Sequence, residues 1–412
     1  MKVFSLKGQA LKLDTAADLE KHIGDFRNAS DVEEFHLEGN TIGVEASQSL
    51  AAILSTKTTL KTANLADIFT GRLLSEIPQA LSALLQALLK CPNLTTINLN
   101  DNAFGLNTVE PLRPFLSQHT PLQHLYLNNN GLGPAAGTLV AQALEQLATN
   151  KKEAKNVPHL ETVVCGRNRL ENGSMEAWSK AFQANCHVRT VKMVQNGIRQ
   201  EGIATLLRHG LSTCQGLQTL DLQDNTFTAL AARTLADVLP TSWKEMRDLG
   251  VGNCLLSARG GRMVGDALAR GENRKVEALR LQFNEIDAKG LKALADAVTA
   301  LPRLRRIEVN GNKFSEEDPS VEVLQAALSK RKEDAAAEFP DVDEDDEDAW
   351  GVDELDELED EDSEDEDEGD EVEEEEEQVV KDSDAAEQQP VAERKDKDVD
   401  DLASALGKTE LK

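Results

Sequence analysis

The sequence predicts an α/β solenoid: short parallel strands stacked along a concave sheet, helices outside, and an acidic tail behind. Three observations lead there. A nine-residue string recurs through most of the chain, helical periodicity fills the intervals, and the net charge is confined to one end.

The string LTTINLNDN at Leu94 returns as LQHLYLNNN at Leu122, LQTLDLQDN at Leu217 and VEALRLQFN at Val276. Looser copies begin at Val32, Leu160, Val188 and Leu304, and copies without the final Asn begin at Leu60 and Met246. The starts are about 30 residues apart, which is the long, helix-containing form of the leucine-rich repeat. In LxxLxLxxN the alternating apolar residues point into the core, while the residues between them face the concave surface. The final Asn turns inward and satisfies backbone groups where the chain leaves the strand, so the copies that keep it form a ladder. Cys254 replaces that Asn as a small buried residue, whereas Ile68 cannot make its hydrogen bonds.

Residues 1–31 read as an atypical first unit that caps the array, with Asp14 or Thr15 as helix N-cap before AADLEKHI. Residues 78–91 and 201–214 repeat apolar side chains at three and four, the spacing of a helix face packed on the sheet. Two steps are long. The extra length lies around residues 67–78, after a strand, and around residues 147–158, after a helix, so the two insertions are expected as loops on opposite rims. The solenoid is expected over residues 1–338, about eleven repeats with the cap unit, and the tail over 339–412.

The formal net charge is -30, and residues 341–377 hold 27 acidic residues with no Lys or Arg. Residues 1–340 are formally neutral, so nothing supplies the positive field that nucleic-acid phosphates need, and a partner of the tail should be basic. From Asp341 onward there is too little apolar surface to offset chain entropy, which predicts disorder, with slight amphipathic character at residues 398–411. No apolar run has membrane-spanning length and the start lacks a signal peptide's apolar core, so no membrane contact and a cytoplasmic location are expected. The five cysteines form no CxxC pair and read as reduced, mostly buried thiols. GxxxxGK[ST], HExxH and GxSxG are all absent, and no histidines pair at metal-ligand spacing. The expectation is a protein with no metal, no cofactor and no catalytic centre of its own.

Two residues stand out. Arg72 follows Gly71 in the first lengthened loop, just past the strand whose ladder residue is Ile68. It is either an ordinary solvated arginine or one offered to a partner's phosphate or acidic surface, for which a permanent charge and a planar fork of donors are suited. Asn129 precedes the ladder residue Asn130 and faces outward, either as a plain turn residue or as a partner contact. Their strands are two steps apart, roughly 10 Å at sheet spacing, so one partner could touch both.

The repeat array, with FTGR at Phe69, LNDNAFG at Leu99, HLYLNNNGLGP at His124, CGRNRLENGSM at Cys165, VKMVQNGIR at Val191, LDLQDNTFT at Leu220 and the acidic tail, resembles the Ran GTPase-activating protein family. The similarity runs over residues 1–377 and is greatest to the shorter fungal form, without the SUMO-modified domain that tethers animal relatives to the nuclear pore. The resemblance implies a monomer that binds GTP-loaded Ran, with or without Ran-binding proteins, and speeds hydrolysis on Ran's own site in support of nucleocytoplasmic transport. GTP and magnesium then belong to Ran. It places the family's functional arginine at Arg72 and its functional asparagine at Asn129. The asparagine is expected to position Ran's catalytic glutamine, and the arginine to support the interface rather than enter the nucleotide site. Some relatives carry a lysine two residues after the arginine, where this chain has Leu74. The competing reading is a leucine-rich-repeat inhibitor or scaffold that grips a basic protein without altering its catalysis. Residues 81–89 have the leucine spacing of an export signal and equally that of a buried helix.

Overall fold

A computed structural model describes residues 2–335, 338–340, 342–343 and 346–359. Its strands are β1 (Val3–Ser5), β2 (Lys12–Leu13), β3 (Glu34–His36), β4 (Thr41–Ile42), β5 (Thr62–Asn64), β6 (Thr96–Asn98), β7 (His124–Tyr126), β8 (Thr162–Val164), β9 (Thr190–Lys192), β10 (Thr219–Asp221), β11 (Asp248–Gly250), β12 (Ala278–Arg280), β13 (Arg306–Glu308) and β14 (Gly351–Val352). Twelve form one parallel sheet in the order β1-β3-β5-β6 and onward to β14, while β2 and β4 pair apart from it. Sequential neighbours throughout, with helices between, make this the leucine-rich-repeat solenoid.

Register follows from the repeat. The central residue of each strand lies opposite the next, Phe35 on Ala63, Ala63 on Ile97, Ile97 on Leu125, and these side chains are buried. The asparagine ladder runs beside them. Asn130 Nδ2 donates to the carbonyls of Leu99 and Leu127 at 3.0 Å each, and its Oδ1 accepts from the Asn102 amide at 3.0 Å. The same pattern joins Asn102 to Ile68, Asn168 to Asn130, Asn196 to Asn168 and Asn312 to Asn284. Cys254 keeps part of the role: its thiol donates to the carbonyls of Leu222 and Gly252 at 3.4 and 3.3 Å. The residue before each rung, from Gly39 and Asp67 through Asp101, Asn129, Arg167, Gln195, Asp224, Asn253 and Phe283 to Gly311, has a left-handed backbone. That turn aims the following Asn inward.

The helices mostly follow the expected apolar faces. Ile77–Leu88 buries Leu81, Leu84, Leu85 and Leu88. Residues 201–214 depart from a regular α-helix. The segment is α-helical over Gln200–Thr205, widens to π geometry over Leu206–Gly210 and tightens over Leu211–Thr213. Gly210 lies so close to the previous helix that a Cβ would sit 2.8 Å from Ser179 Cα. The second insertion is also not simply a loop, because the helix Gly133–Ala154 runs through most of it. Its last turn carries Lys151, whose ammonium donates to the carbonyls of Thr120, Leu122 and Pro158 at 2.6–2.7 Å.

The boundary expected after residue 338 falls elsewhere: the compact unit spans Met1–Glu361. The expectation of disorder from Asp341 is corrected for the start of the acidic stretch, where β14 pairs with β13 and Trp350 is 4% exposed. The physical reason is that Trp350, Val352, Leu355 and Leu358 pack against a core edge that would otherwise face water. Asp353 covers the exit of β13 by accepting from the Val309 and Asn310 amides at 2.7 and 2.9 Å. The rest of the acidic tail, including the amphipathic segment at 398–411, lies outside the described residues.

Candidate functional site

Loop 69–76 leaves the sheet after β5 with Gly71 in a left-handed turn, φ +75°. Leu73 and Leu74 project outward, 68% and 62% exposed, while the side chain of Arg72 between them and Gly71 is only 8% exposed. Its guanidinium is folded back toward the first units. Nη1 meets the Asp14 carboxylate at 2.5 Å, Nε donates to Thr41 Oγ1 at 2.8 Å, and Nη2 donates to the Thr41 carbonyl at 3.1 Å. In the free chain Arg72 is thus neither solvated nor held out from the surface.

Local pairing explains the seat. Thr41 lies in β4 and Asp14 directly follows β2, and these two strands pair in parallel. The Ile42 amide then donates to the Ile68 carbonyl at 2.9 Å, joining this small sheet to the root of the loop. The seat thus forms where the ladder side chain is missing. Asp14 is not the helix cap; Thr15 is, in a capping box with Asp18. The neighbouring Arg72 guanidinium, before the Lys12 ammonium, holds the Asp14 carboxyl below its ordinary range, so the ion pair persists in mild acid.

Asn129 is exposed, as expected, at the exit of β7. Its backbone is left-handed and its Nδ2 donates to Asp101 Oδ1 at 2.9 Å. This geometry is a property of the repeat, because Asn253 makes the same bond to Asp224 at 2.8 Å. β5 and β7 flank β6, two steps apart as inferred. The structure does not bring the two side chains together, however: Arg72 points back to the first two units, away from Asn129. Asp14 and Thr41 were missed as parts of the site. They lie 58 and 31 residues from Arg72, and no local pattern marks them.

Elsewhere the chemistry is sparse. Among the described residues no group of His, Cys, Asp and Glu is placed to hold a metal, and no helix is long and apolar enough to cross a membrane. Cys91, Cys165, Cys214 and Cys254 are buried, and burial pushes their thiols up to about 11–12. Cys186, expected to be buried, is instead half-buried, 3.7 Å from His187 Nδ1.

Fold and site define a leucine-rich-repeat protein with a rim built by side chains from several repeats. A Leucine Rich repeat family model matches residues 272–295. Ran GTPase-activating protein 1 of Saccharomyces cerevisiae is 40% identical over 335 residues, covering 79% of this chain and 81% of that one. The Drosophila melanogaster Ran GTPase-activating protein is 33% identical over 85% of this chain and 59% of its own length. Ran GTPase-activating protein 1 of Xenopus laevis is 42% identical over 47% of this chain, which spans only 34% of that longer protein. The chain belongs to the Ran GTPase-activating protein family.

Proposed function

We infer that the chain stimulates GTP hydrolysis by Ran, binding Ran in its GTP-loaded state and leaving the chemistry on Ran's own site. The observation that carries this is the similarity to the yeast Ran GTPase-activating protein along 81% of that protein's length. The rim supports the reading. Asn129 is exposed and held by Asp101 in an outward pose, and loop 69–76 is fixed at its base by Arg72. We assign activation to these two residues. Asn129 approaches the reacting region of Ran, and Arg72 acts as a strut that sets the shape of the loop.

Activators that supply an arginine to a GTPase transition state gain on the order of 10³–10⁵ in rate, which sets the scale of the effect to look for. Single-turnover hydrolysis of GTP preloaded on Ran, with and without this chain, tests the reading directly. Binding without acceleration would instead favour the scaffold reading. The proposed protein works as a monomer, needs no cofactor of its own and resides in the cytoplasm. The leucines at residues 81–89 that resemble an export signal are largely buried in their helix, so export would need another element. Sedimentation and fluorescence imaging of the tagged full chain test these points.

A further inference from the structure

We propose that Asp14 and Thr41 are positioning residues for GTPase activation: they seat Arg72 so that loop 69–76 meets its partner preformed. This rests on the reading of Arg72 as an activating residue.

The case begins with matched donors. Holding a long, flexible side chain in one geometry costs up to about 2 kcal/mol of rotamer freedom, so an exposed loop gains nothing by ordering an arginine unless its fork is filled. Here Nε, Nη1 and Nη2 each have an acceptor. The acceptors come from outside the loop, one after β2 and one in β4, so the cap unit contributes directly to the site. Thr41 uses its hydroxyl fully. It accepts from Arg72 Nε and donates to the Thr70 carbonyl at 2.9 Å, gripping side chain and loop backbone at once.

The seat is also shaped by what is absent. A Cβ on Gly43 would lie 3.2 Å from Arg72 Nη1 and 3.0 Å from the Asp14 carbonyl oxygen. Gly43 has φ -87°, which any residue adopts, so its backbone does not require glycine. The space beside Nη1 is tight, so an added methyl would press the guanidinium or Asp14 aside by a few tenths of an ångström. Lys12 Nζ stands 3.3 Å from the other Asp14 oxygen, so one carboxylate faces two cations and the seat retains net positive charge. Two leucines exposed on a loop fixed from beneath form the surface that a partner meets without first ordering it.

The test is single-turnover hydrolysis of GTP on Ran across a range of activator concentrations, with melting temperatures for every variant. Asp14→Ala and Gly43→Ala should each lower kcat/KM on the order of 10–100-fold, the scale of misplacing a group in a catalytic complex. The melting temperature of Asp14→Ala should stay near that of the parent, because the Asp14 side chain is 43% exposed and outside the core. Asp14→Asn, which keeps an acceptor oxygen, should recover part of the loss. The double variant Asp14→Ala/Arg72→Ala should be no slower than Arg72→Ala alone, since both changes remove one device. Two results overturn the proposal while leaving Arg72 as an activating residue: Asp14→Ala running as fast as the parent or faster while Arg72→Ala is slow, or losses that multiply in the double variant. A parental rate for Arg72→Ala itself removes the underlying reading.

Discussion

Trp350 stands edge-on to Phe339, ring centroids 5.5 Å apart and planes at 89°, and both rings are buried at the C-terminal end of the solenoid. Arg303 lies over the Phe339 ring at 4.6 Å. The start of the acidic stretch is thus a cap with an aromatic anchor. Truncation after Glu359 should leave the melting temperature unchanged, whereas truncation after Phe339 should lower it sharply by uncovering β13. Trp350→Ala should cost about 3–5 kcal/mol in denaturant unfolding, the usual range for emptying a buried aromatic site. Equal stability of the two truncated forms would show that β14 adds nothing.

Adjacent asparagines should separate stability from activity. Asn130 is fully buried and holds three carbonyls and one amide, so Asn130→Ala should destabilise by roughly 1–3 kcal/mol through unpaired backbone groups. Asn129→Ala removes one exposed bond to Asp101 and puts Ala in a left-handed backbone, so it should cost about 1 kcal/mol and keep cooperative unfolding. It should instead lower the saturating rate of GTP hydrolysis on Ran, because a group that positions a reacting partner acts mainly in the transition state. An Asn129→Ala variant with a full saturating rate would remove it from the site.

For Arg72→Ala the expectation is a large fall in stimulated hydrolysis with cooperative unfolding preserved, since a rim loop adds little to the stacked core. Arg72→Lys is the sharper probe. A lysine keeps the charge but cannot reach Asp14 and both Thr41 oxygens with a planar fork, so it should rescue poorly. Full rescue by lysine would mean that charge alone matters there.

His119 gives a pH dependence with a definite sign. Its ring is 2% exposed, stacks on Phe115 at 4.8 Å, and has Nε2 2.7 Å from the Leu94 carbonyl oxygen. Burial pushes the imidazole down from 6.5 to about 4, against the pull of the Leu94 carbonyl and with a small push from Lys151. Between those values the unfolded chain binds the proton and the folded chain does not, so this group's stabilisation is lost as pH falls from 6.5 toward 4. The loss approaches about 3 kcal/mol. The stability difference between parent and His119→Gln should be flat above pH 7 and shift by that order at pH 4.5; parallel curves would refute the assignment.

What was legible in the sequence was whatever repeats. A side-chain period of two places Ile97, Leu125 and Leu220 in strand centres, and the terminal Asn marks where each strand ends. What was illegible depends on pairing across long separations. Nothing near Asp14 announces Arg72, because the two meet only after β2 and β4 align. The acidic cap was hidden by composition, because Trp350, Val352, Leu355 and Leu358 are interleaved with carboxylates inside a long acidic stretch. Residues 147–154 looked like loop because they are polar, yet Ala, Lys and Glu are good helix formers and the helix simply continues.

The asparagine ladder has a direction. Each Asn accepts from the amide of the rung before it and donates to that earlier repeat's carbonyl, as Asn130 does for Asn102 and Leu99. Asn168 in turn serves Asn130 and Leu127. A chain synthesised from its N-terminus therefore leaves every new rung incomplete until the following repeat has emerged. Maturation trails synthesis by about one repeat. The solenoid is thus completed in chain order, each repeat finishing the one before it.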